Sequence, residues 1–251
     1  MPKLPAAHTD DRPALFLDFD GTLVDIVARP DLTRVSPQLV GLLGRIYRRL
    51  EGALAIVTGR PLADLDRLLA PLTVPAAGIH GIEHRGGTGR VESRCPAAIP
   101  DDIRVQVTAL AASDHRFILE DKGFSLGLHY RQAPELEAAV RSRFDAISAT
   151  LGPKFSVQGG KMVLELRPAG IDKGSAIEKF MSEAPFAGRH AIFIGDDRTD
   201  EDGFAVVNRL HGTSVRVGKP DPASAAQFTL DEVADVHAWL ESLAGRRTDR
   251  K

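Results

Sequence analysis

Two groups of carboxylates lie far apart in this 251-residue chain, each at the end of a short apolar run. Leu15-Phe16-Leu17-Asp18-Phe19-Asp20-Gly21-Thr22 sets two acids one residue apart, followed by a glycine and a hydroxyl. Ala191-Ile192-Phe193-Ile194 empties into Gly195-Asp196-Asp197-Arg198-Thr199-Asp200-Glu201-Asp202, with five acids in seven positions. Asp-Gly by itself is a common turn dipeptide. Acids this dense repel each other unless something cationic shares the site. A hard divalent ion such as magnesium suits all-oxygen ligands, and no Cys/His spacing competes for a softer metal. A metal held this way makes the site suited to phosphate chemistry.

Two more segments fit the same chemistry. Leu54-Ala55-Ile56-Val57 closes on Thr58-Gly59-Arg60 before Pro61 opens a helix. The Thr58 hydroxyl and nearby amides could hold a phosphoryl oxygen at a helix N-terminus, with an ordinary cap or turn hydroxyl as the alternative. Asp172-Lys173-Gly174-Ser175 opens another helix. A lysine in a first turn opposes the helix dipole, an objection that a neighbouring anion removes.

These residues need a frame that brings strand ends together. Short, continuously apolar runs read as buried parallel strands delivering their acids to the C-terminal edge, where open α/β sheets bind ligands. Ser36-Pro37 is a capped helix start leading through Leu39, Leu42, Leu43 and Ile46, and Val215–Gly218 reads as a late strand. Right-handed crossovers then give an α/β fold, a doubly wound parallel-sheet core.

The core is interrupted around Gly86-Gly87-Thr88-Gly89 and resumes near Pro168-Ala169-Gly170. Residues 1–86 and 168–251 are therefore expected to form the core, and 87–167 an inserted α+β domain. Phe117–Glu120 and Phe124–Tyr130 read as strands, Glu135–Leu151 as a helix, and Phe155–Val157 with Lys161–Arg167 as a hairpin turning at Gly159-Gly160. Alternation puts Leu126, Leu128 and Tyr130 on one face with Met162, Leu164 and Leu166, opposite Ser125, His129, Arg131, Lys161, Glu165 and Arg167. By alternation alone, the polar face is the wet side of an antiparallel sheet.

Asp18-Phe19-Asp20-Gly21-Thr22, Thr58-Gly59-Arg60, Lys173 and Gly195-Asp196-Asp197 through Asp200 resemble, in order, the four motifs of haloacid dehalogenase-like phosphatases. The resemblance implies a Rossmann-like core with a cap. Asp18 would attack phosphorus to form an aspartyl-phosphate, and Asp20 would serve as general acid and then base. Thr58 and Lys173 would stabilise the transferring group. Magnesium would be held by Asp18, the backbone carbonyl of Asp20, and Asp196, with Asp197 and Asp200 as ligands or supporting acids.

Within that superfamily, Glu120–Ser125, Gly127–Arg131, Gly160–Pro168 and Gly78-Ile79-His80-Gly81-Ile82-Glu83 are similar to the trehalose-6-phosphate phosphatases, across about Ala14 to Gly218. By that analogy Glu120, Lys122, Arg131, Lys161 and Glu165 bind sugar hydroxyls, since charged groups make several hydrogen bonds to a polyol. His129 would contact sugar or order the cap, and His80 and Glu83 would bind or order the core–cap junction. The implied reaction is hydrolysis of trehalose 6-phosphate to trehalose and phosphate, the last step of trehalose synthesis. A phosphatase for another phosphorylated sugar, a phosphomutase of the same superfamily, and a sugar-phosphate sensor are the alternatives.

Composition agrees. With 43% hydrophobic residues the chain can bury one good core and a smaller one. A net charge of −2 carries no nucleic-acid footprint. Cys95 is the only cysteine, excluding an intrachain disulfide. Met1–Pro13 lacks the apolar centre of a signal peptide, and no segment has transmembrane length. The expectation is a cytoplasmic monomer that meets a small sugar phosphate, with no nucleic-acid or membrane partner.

Overall fold

The computed structural model describes residues 1–5, 12–94, 98–160 and 162–245, arranged as two compact units, 1–92 with 172–251 and 93–171. Lys161 and Cys95 lie outside the described residues, as does the tail from 246.

The first unit is built on strands β1 (Ala14–Leu17), β2 (Leu54–Val57), β3 (Ala76–Gly78), β4 (Glu83–Arg85) and β5 (Val91–Ser93). β1 and β2 are buried at every position, which is why they read as continuous apolar runs. Helices α1 (Pro37–Arg49) and α2 (Leu62–Leu69) connect them. Ser36 Oγ caps α1 by accepting from the Leu39 amide at 3.2 Å, an interaction worth about 1 kcal/mol. Leu39, Leu42, Leu43 and Ile46 form the buried face of α1.

The second unit contains α3 (Asp101–Ala112), β6 (Ile118–Asp121), β7 (Leu126–His129), α4 (Glu137–Leu151), β8 (Phe155–Gly160) and β9 (Val163–Pro168). The chain then returns to the first unit with α5 (Lys173–Met181), β10 (Ala191–Gly195), α6 (Glu201–Arg209), β11 (Thr213–Val217), β12 (Phe228–Leu230) and α7 (Val233–Ala244).

The large sheet has the order β12-β11-β10-β1-β2-β3-β4-β5. It is parallel from β12 to β3 and turns antiparallel at β4. The order reverses at β1, so the chain winds away from that strand in both directions, which is the topological switch point where such sheets bind ligands. In register, Leu17 sits beside Ile194 on one side and Ile56 on the other. Asp18, Gly195 and the segment before Thr58 therefore emerge side by side.

Several sequence expectations change here. The glycine run at 86–89 is the loop between β4 and β5, which pair at the sheet edge, so it is a hairpin and not a crossing. The chain passes between units after Glu92 and again after Ile171. β12 was not expected, because Phe228-Thr229-Leu230 is too short to show a period. Residues at the N-terminus also join the sheet, with the Leu4 amide donating to Thr229 O at 3.1 Å and the Thr229 amide to Pro2 O at 2.9 Å.

In the second unit, β6-β7-β9-β8 form an antiparallel sheet. Leu126, Leu128, Tyr130, Leu164 and Leu166 pack with Val140 and Phe144 of α4 and Ile103 and Val107 of α3. Gly159 and Gly160 are not the turn. They pair with Leu164 and Val163 inside β8, where a Cβ on Gly159 would come within 3.1 Å of Arg141. The turn falls one step later, and Met162 sits there with φ +58°, exposed, away from the apolar face expected for it. The polar face is drier than alternation implied, since Ser125, Glu165 and Arg167 are all buried.

Candidate active site

Asp18 leaves the end of β1 with its amide bonded to Ile194 O at 2.9 Å. Its Oδ1 accepts from Lys173 Nζ at 2.7 Å, and the same ammonium donates to Asp200 Oδ1 at 2.6 Å. Asp172 and Ser175 form a reciprocal capping box that starts α5 at Lys173. The lysine is thus built into the first turn and aimed at the end of β1.

Asp200 is fully buried, and its other oxygen, Oδ2, accepts from the amides of Asp196 at 3.0 Å and Asp197 at 2.8 Å. A side chain at Gly195 would forbid this fold-back, because a Cβ there would lie 2.4 Å from Asp200 Cγ. The glycine that ends β10 is therefore a packing requirement.

Three buried carboxylates, Asp18, Asp196 and Asp200, bring oxygens within 4.8 Å of one another, and the Lys173 ammonium pairs with Asp18 and Asp200. Burial pushes the Asp18 carboxyl well above its ordinary range; Lys173 opposes this, while Asp200 and Asp196 add to it. Burial would push the Lys173 ammonium down, but Asp18 and Asp200 together hold it well above the usual lysine range. An all-oxygen, acid-rich, buried donor set with a charge imbalance of this kind fits a hard divalent cation.

The turn after β1 is equally constrained. Phe19 O accepts from the amides of Leu23 and Val24, and Gly21 adopts φ +89°. A Cβ on Gly21 would lie 2.2 Å from Asp196 Oδ2. Gly21→Ala is therefore expected to displace Asp196 and to lower turnover at this site by roughly 10²-fold, as ångström-scale misplacement in a site does. A melting curve taken alongside checks that the variant is folded.

Asp20 lies on the same turn but outside the carboxylate cluster. Arg60 grips it with both arms, Nε to Oδ2 at 2.6 Å and Nη2 to Oδ1 at 2.7 Å, and Nη2 also donates to Thr33 Oγ1 at 2.7 Å. Thr58 Oγ1 accepts from the Arg60 amide at 3.1 Å, which shapes the loop and leaves the hydroxyl proton uncommitted by that bond. A turn at 79–81 braces this loop from behind. The Ile79 amide donates to Arg60 O at 3.0 Å and the His80 amide to Thr58 O at 2.9 Å. Glu83 Oε2 accepts from the Leu62 amide at 2.6 Å, at the start of α2. His80 and Glu83 thus act on the Thr58 loop and the helix after it.

In the second unit Glu120, Lys122 and Glu165, three of the residues expected to bind sugar, form one chain of contacts along the sheet. Glu165 Oε1 accepts from Lys122 Nζ at 3.0 Å and from Ser125 Oγ at 2.5 Å. Lys122 Nζ lies 3.8 Å from Glu120 Oε2, which also meets His129 Nε2 at 2.9 Å. Burial opposes ionisation of Glu120, but His129 and Lys122 together bring its carboxyl below the ordinary range. Arg131 follows β7 and is half-buried.

Sequence reading did not find Arg60 as the partner of Asp20, nor Thr33 or Ser125 as supports. Arg60 lies two positions after Thr58 in the same motif, and that nearness is the one signal the sequence carries for it. Thr33 sits in an irregular loop with no periodic signal.

A sheet wound both ways from its first strand, with carboxylates and a buried lysine gathered at that strand's end, defines the haloacid dehalogenase-like phosphatase class. Solved structures share the fold. The C-terminal domain of Candida albicans trehalose-6-phosphate phosphatase superposes with a TM-score of 0.82 at 22% identity, over 94% of this chain and 93% of that one. A trehalose-6-phosphate phosphatase related protein gives 0.75 at 25% identity, over 92% and 96%. The family model for trehalose-phosphatase matches residues 16–234. A probable trehalose-phosphate phosphatase of Sinorhizobium fredii is 42% identical over 242 residues, 96% of this chain and 91% of that protein. The trehalose-6-phosphate phosphatase of Escherichia coli is 43% identical over 231 residues, 92% and 86%. This chain belongs to the trehalose-phosphatase family.

Proposed function

We propose that the protein is a magnesium-dependent phosphatase that hydrolyses trehalose 6-phosphate to trehalose and inorganic phosphate. The observation that carries the chemistry is the two buried ion pairs that Lys173 makes with Asp18 and Asp200 beside Asp196, in a chain of this family. Asp18 is the nucleophile. Its oxygen bonds to phosphorus as the phosphorus–sugar oxygen bond breaks, and Asp20 passes a proton to the departing sugar oxygen. Water then attacks the aspartyl-phosphate, gives its proton to Asp20, and frees phosphate and Asp18. Lys173 and the Thr58 hydroxyl offset charge on the phosphoryl oxygens. Asp18 and Asp196, with the backbone carbonyl of Asp20, would hold the metal; Asp200 spends its oxygens on Lys173 and two amides and organises the cluster. When bound, magnesium neutralises developing charge on the transferring phosphoryl group.

Glu120, Lys122, Arg131, Lys161 and Glu165 bind the sugar. Paired acids and bases of this kind offer both acceptors and donors to a ring of hydroxyls. Glu165→Ala is expected to lower kcat/KM for trehalose 6-phosphate by about 10–100-fold more than for a small aryl phosphate, the worth of one or two hydrogen bonds to a charged group. Equal losses on both substrates would remove Glu165 from sugar recognition.

The test of the whole reading is phosphate release with magnesium from trehalose 6-phosphate, sucrose 6-phosphate and glucose 6-phosphate. Strong preference for the first is expected. Comparable rates on all three would retain the phosphatase and retract the substrate.

A further inference from the structure

Asp20 must hold its carboxyl group at the leaving oxygen, yet it sits on a turn, half-exposed, one residue beyond a buried phenylalanine. Among the described residues, Arg60 is the only side chain that hydrogen-bonds it, and it does so through both oxygens at 2.6 and 2.7 Å. The guanidinium is itself buried, lies 5.6 Å from the centre of the Phe19 ring, and is held by Thr33, which is 1% exposed. Its backbone is pinned at both ends by Thr58 Oγ1 and the Ile79 amide. The pinning turn is strained, with Ile79 at φ +46° and His80 at φ +55°. A β-branched residue at positive φ is a true outlier, tolerated where the surroundings over-determine it and often at functional sites.

We infer that Arg60, anchored by Thr33 and by the strained turn at 79–81, is a positioning residue that aims the Asp20 carboxyl group. A planar two-armed fork fixes both the distance and the plane of a carboxylate, which the point charge of a lysine does not. One lone pair on each Asp20 oxygen remains for the substrate side. The inference rests on the phosphatase reading above and adds to it that the acid's aim is set from outside its own turn.

The consequence differs between leaving groups. In the first half-reaction the Asp18–phosphorus bond forms, the phosphorus–oxygen bond to the leaving group breaks, and a sugar alkoxide needs the Asp20 proton. A dinitrophenolate leaves without one. Losing the aim of Asp20 should therefore slow the first half-reaction for the sugar substrate and spare it for the aryl one.

The experiment is rapid-quench measurement of the first turnover on trehalose 6-phosphate and on 2,4-dinitrophenyl phosphate. The proteins are the wild type, Arg60→Met, Arg60→Lys and Thr33→Val. Arg60→Met is expected to slow the sugar reaction by about 10²-fold, within the usual contribution of a general acid, and the aryl reaction by less than about threefold. Arg60→Lys should recover less than about tenfold of the loss, because it restores charge without the fork. Thr33→Val, nearly isosteric, should show the same selectivity at about three- to tenfold, and it decides the question if Arg60→Met does not fold. Equal losses on both substrates, or a sugar rate within threefold of wild type in Arg60→Met, would overturn the inference. Wild-type protein that turns over the aryl phosphate but not trehalose 6-phosphate would overturn the substrate reading, and the inference with it.

Discussion

Asp18→Asn is expected to lower phosphate release by on the order of 10⁴-fold or more, as loss of a covalent nucleophile does. The fold should survive. Lys173 keeps Asp200 as a partner at 2.6 Å, and the group removed is one whose charged form burial already disfavours. The thermal midpoint of metal-free Asp18→Asn should therefore match or exceed that of the wild type. The two readouts together separate chemistry from structure: inactivity with a lowered midpoint would mean that Asp18 is needed for folding, and retained turnover would remove it as the nucleophile. Acid quench after incubation with substrate offers a direct check, since the wild type should carry covalent phosphate and the variant none.

Lys173→Met should have the second largest effect, and on stability as well as turnover. Methionine fills a similar volume, but Asp18 and Asp200 would then lose their cation in a buried space that they share with Asp196. Removing one partner of a buried ion pair costs about 3–5 kcal/mol. For a chain of this size that is on the order of 10 °C in the midpoint. The pH dependence has a definite sign. In the wild type the Lys173 value is raised, so its stabilisation is present throughout the neutral range and fades only as pH climbs beyond the ordinary lysine value. The Asp18 value is also raised, which for an acid means that stability is gained as pH falls through its titration. Without Lys173 that acid-side gain should grow, because protonation becomes the remaining way to quench the charge. The deficit of Lys173→Met should thus be largest at neutral pH and shrink on acidification. Magnesium should also narrow it, through selective binding to the native state. Urea melts at three pH values, with and without metal, test all three expectations. A deficit unchanged by both would mean that the three carboxylates do not form one electrostatic unit.

The positions to which the proposed chemistry is assigned are the most conspicuous part of the sequence. Asp18, Asp20, Lys173 and Asp196 are visible because acids at the end of a continuously apolar strand, and a lysine in a first turn, are anomalies that local physics does not produce without cause. The parallel core was readable for a related reason: strands buried on both faces leave no alternation to blur. The edges were not. β12 and the β4–β5 hairpin are held by pairing with neighbours more than by their own composition, and Gly159 and Gly160, which read as a turn, are paired with Leu164 and Val163 inside the sheet.

Tertiary structure alone decided how the site is wired. Asp200 stood among five acids with nothing local to rank it; the packing of α5 on α6 gives it Lys173, and the bare Gly195 lets it take the amides of Asp196 and Asp197. Arg60 and Thr33 are 27 positions apart and meet only because the turn after β1 and the loop after β2 lie at one sheet edge. The sequence by itself determined which side chains could do phosphoryl chemistry and which strand ends or helix starts carry them, since charge and hydrophobic pattern are local properties. Which acid each cation would take, and which bare Cα atoms had to lie beneath them, was decided by register and close packing, which no residue carries alone.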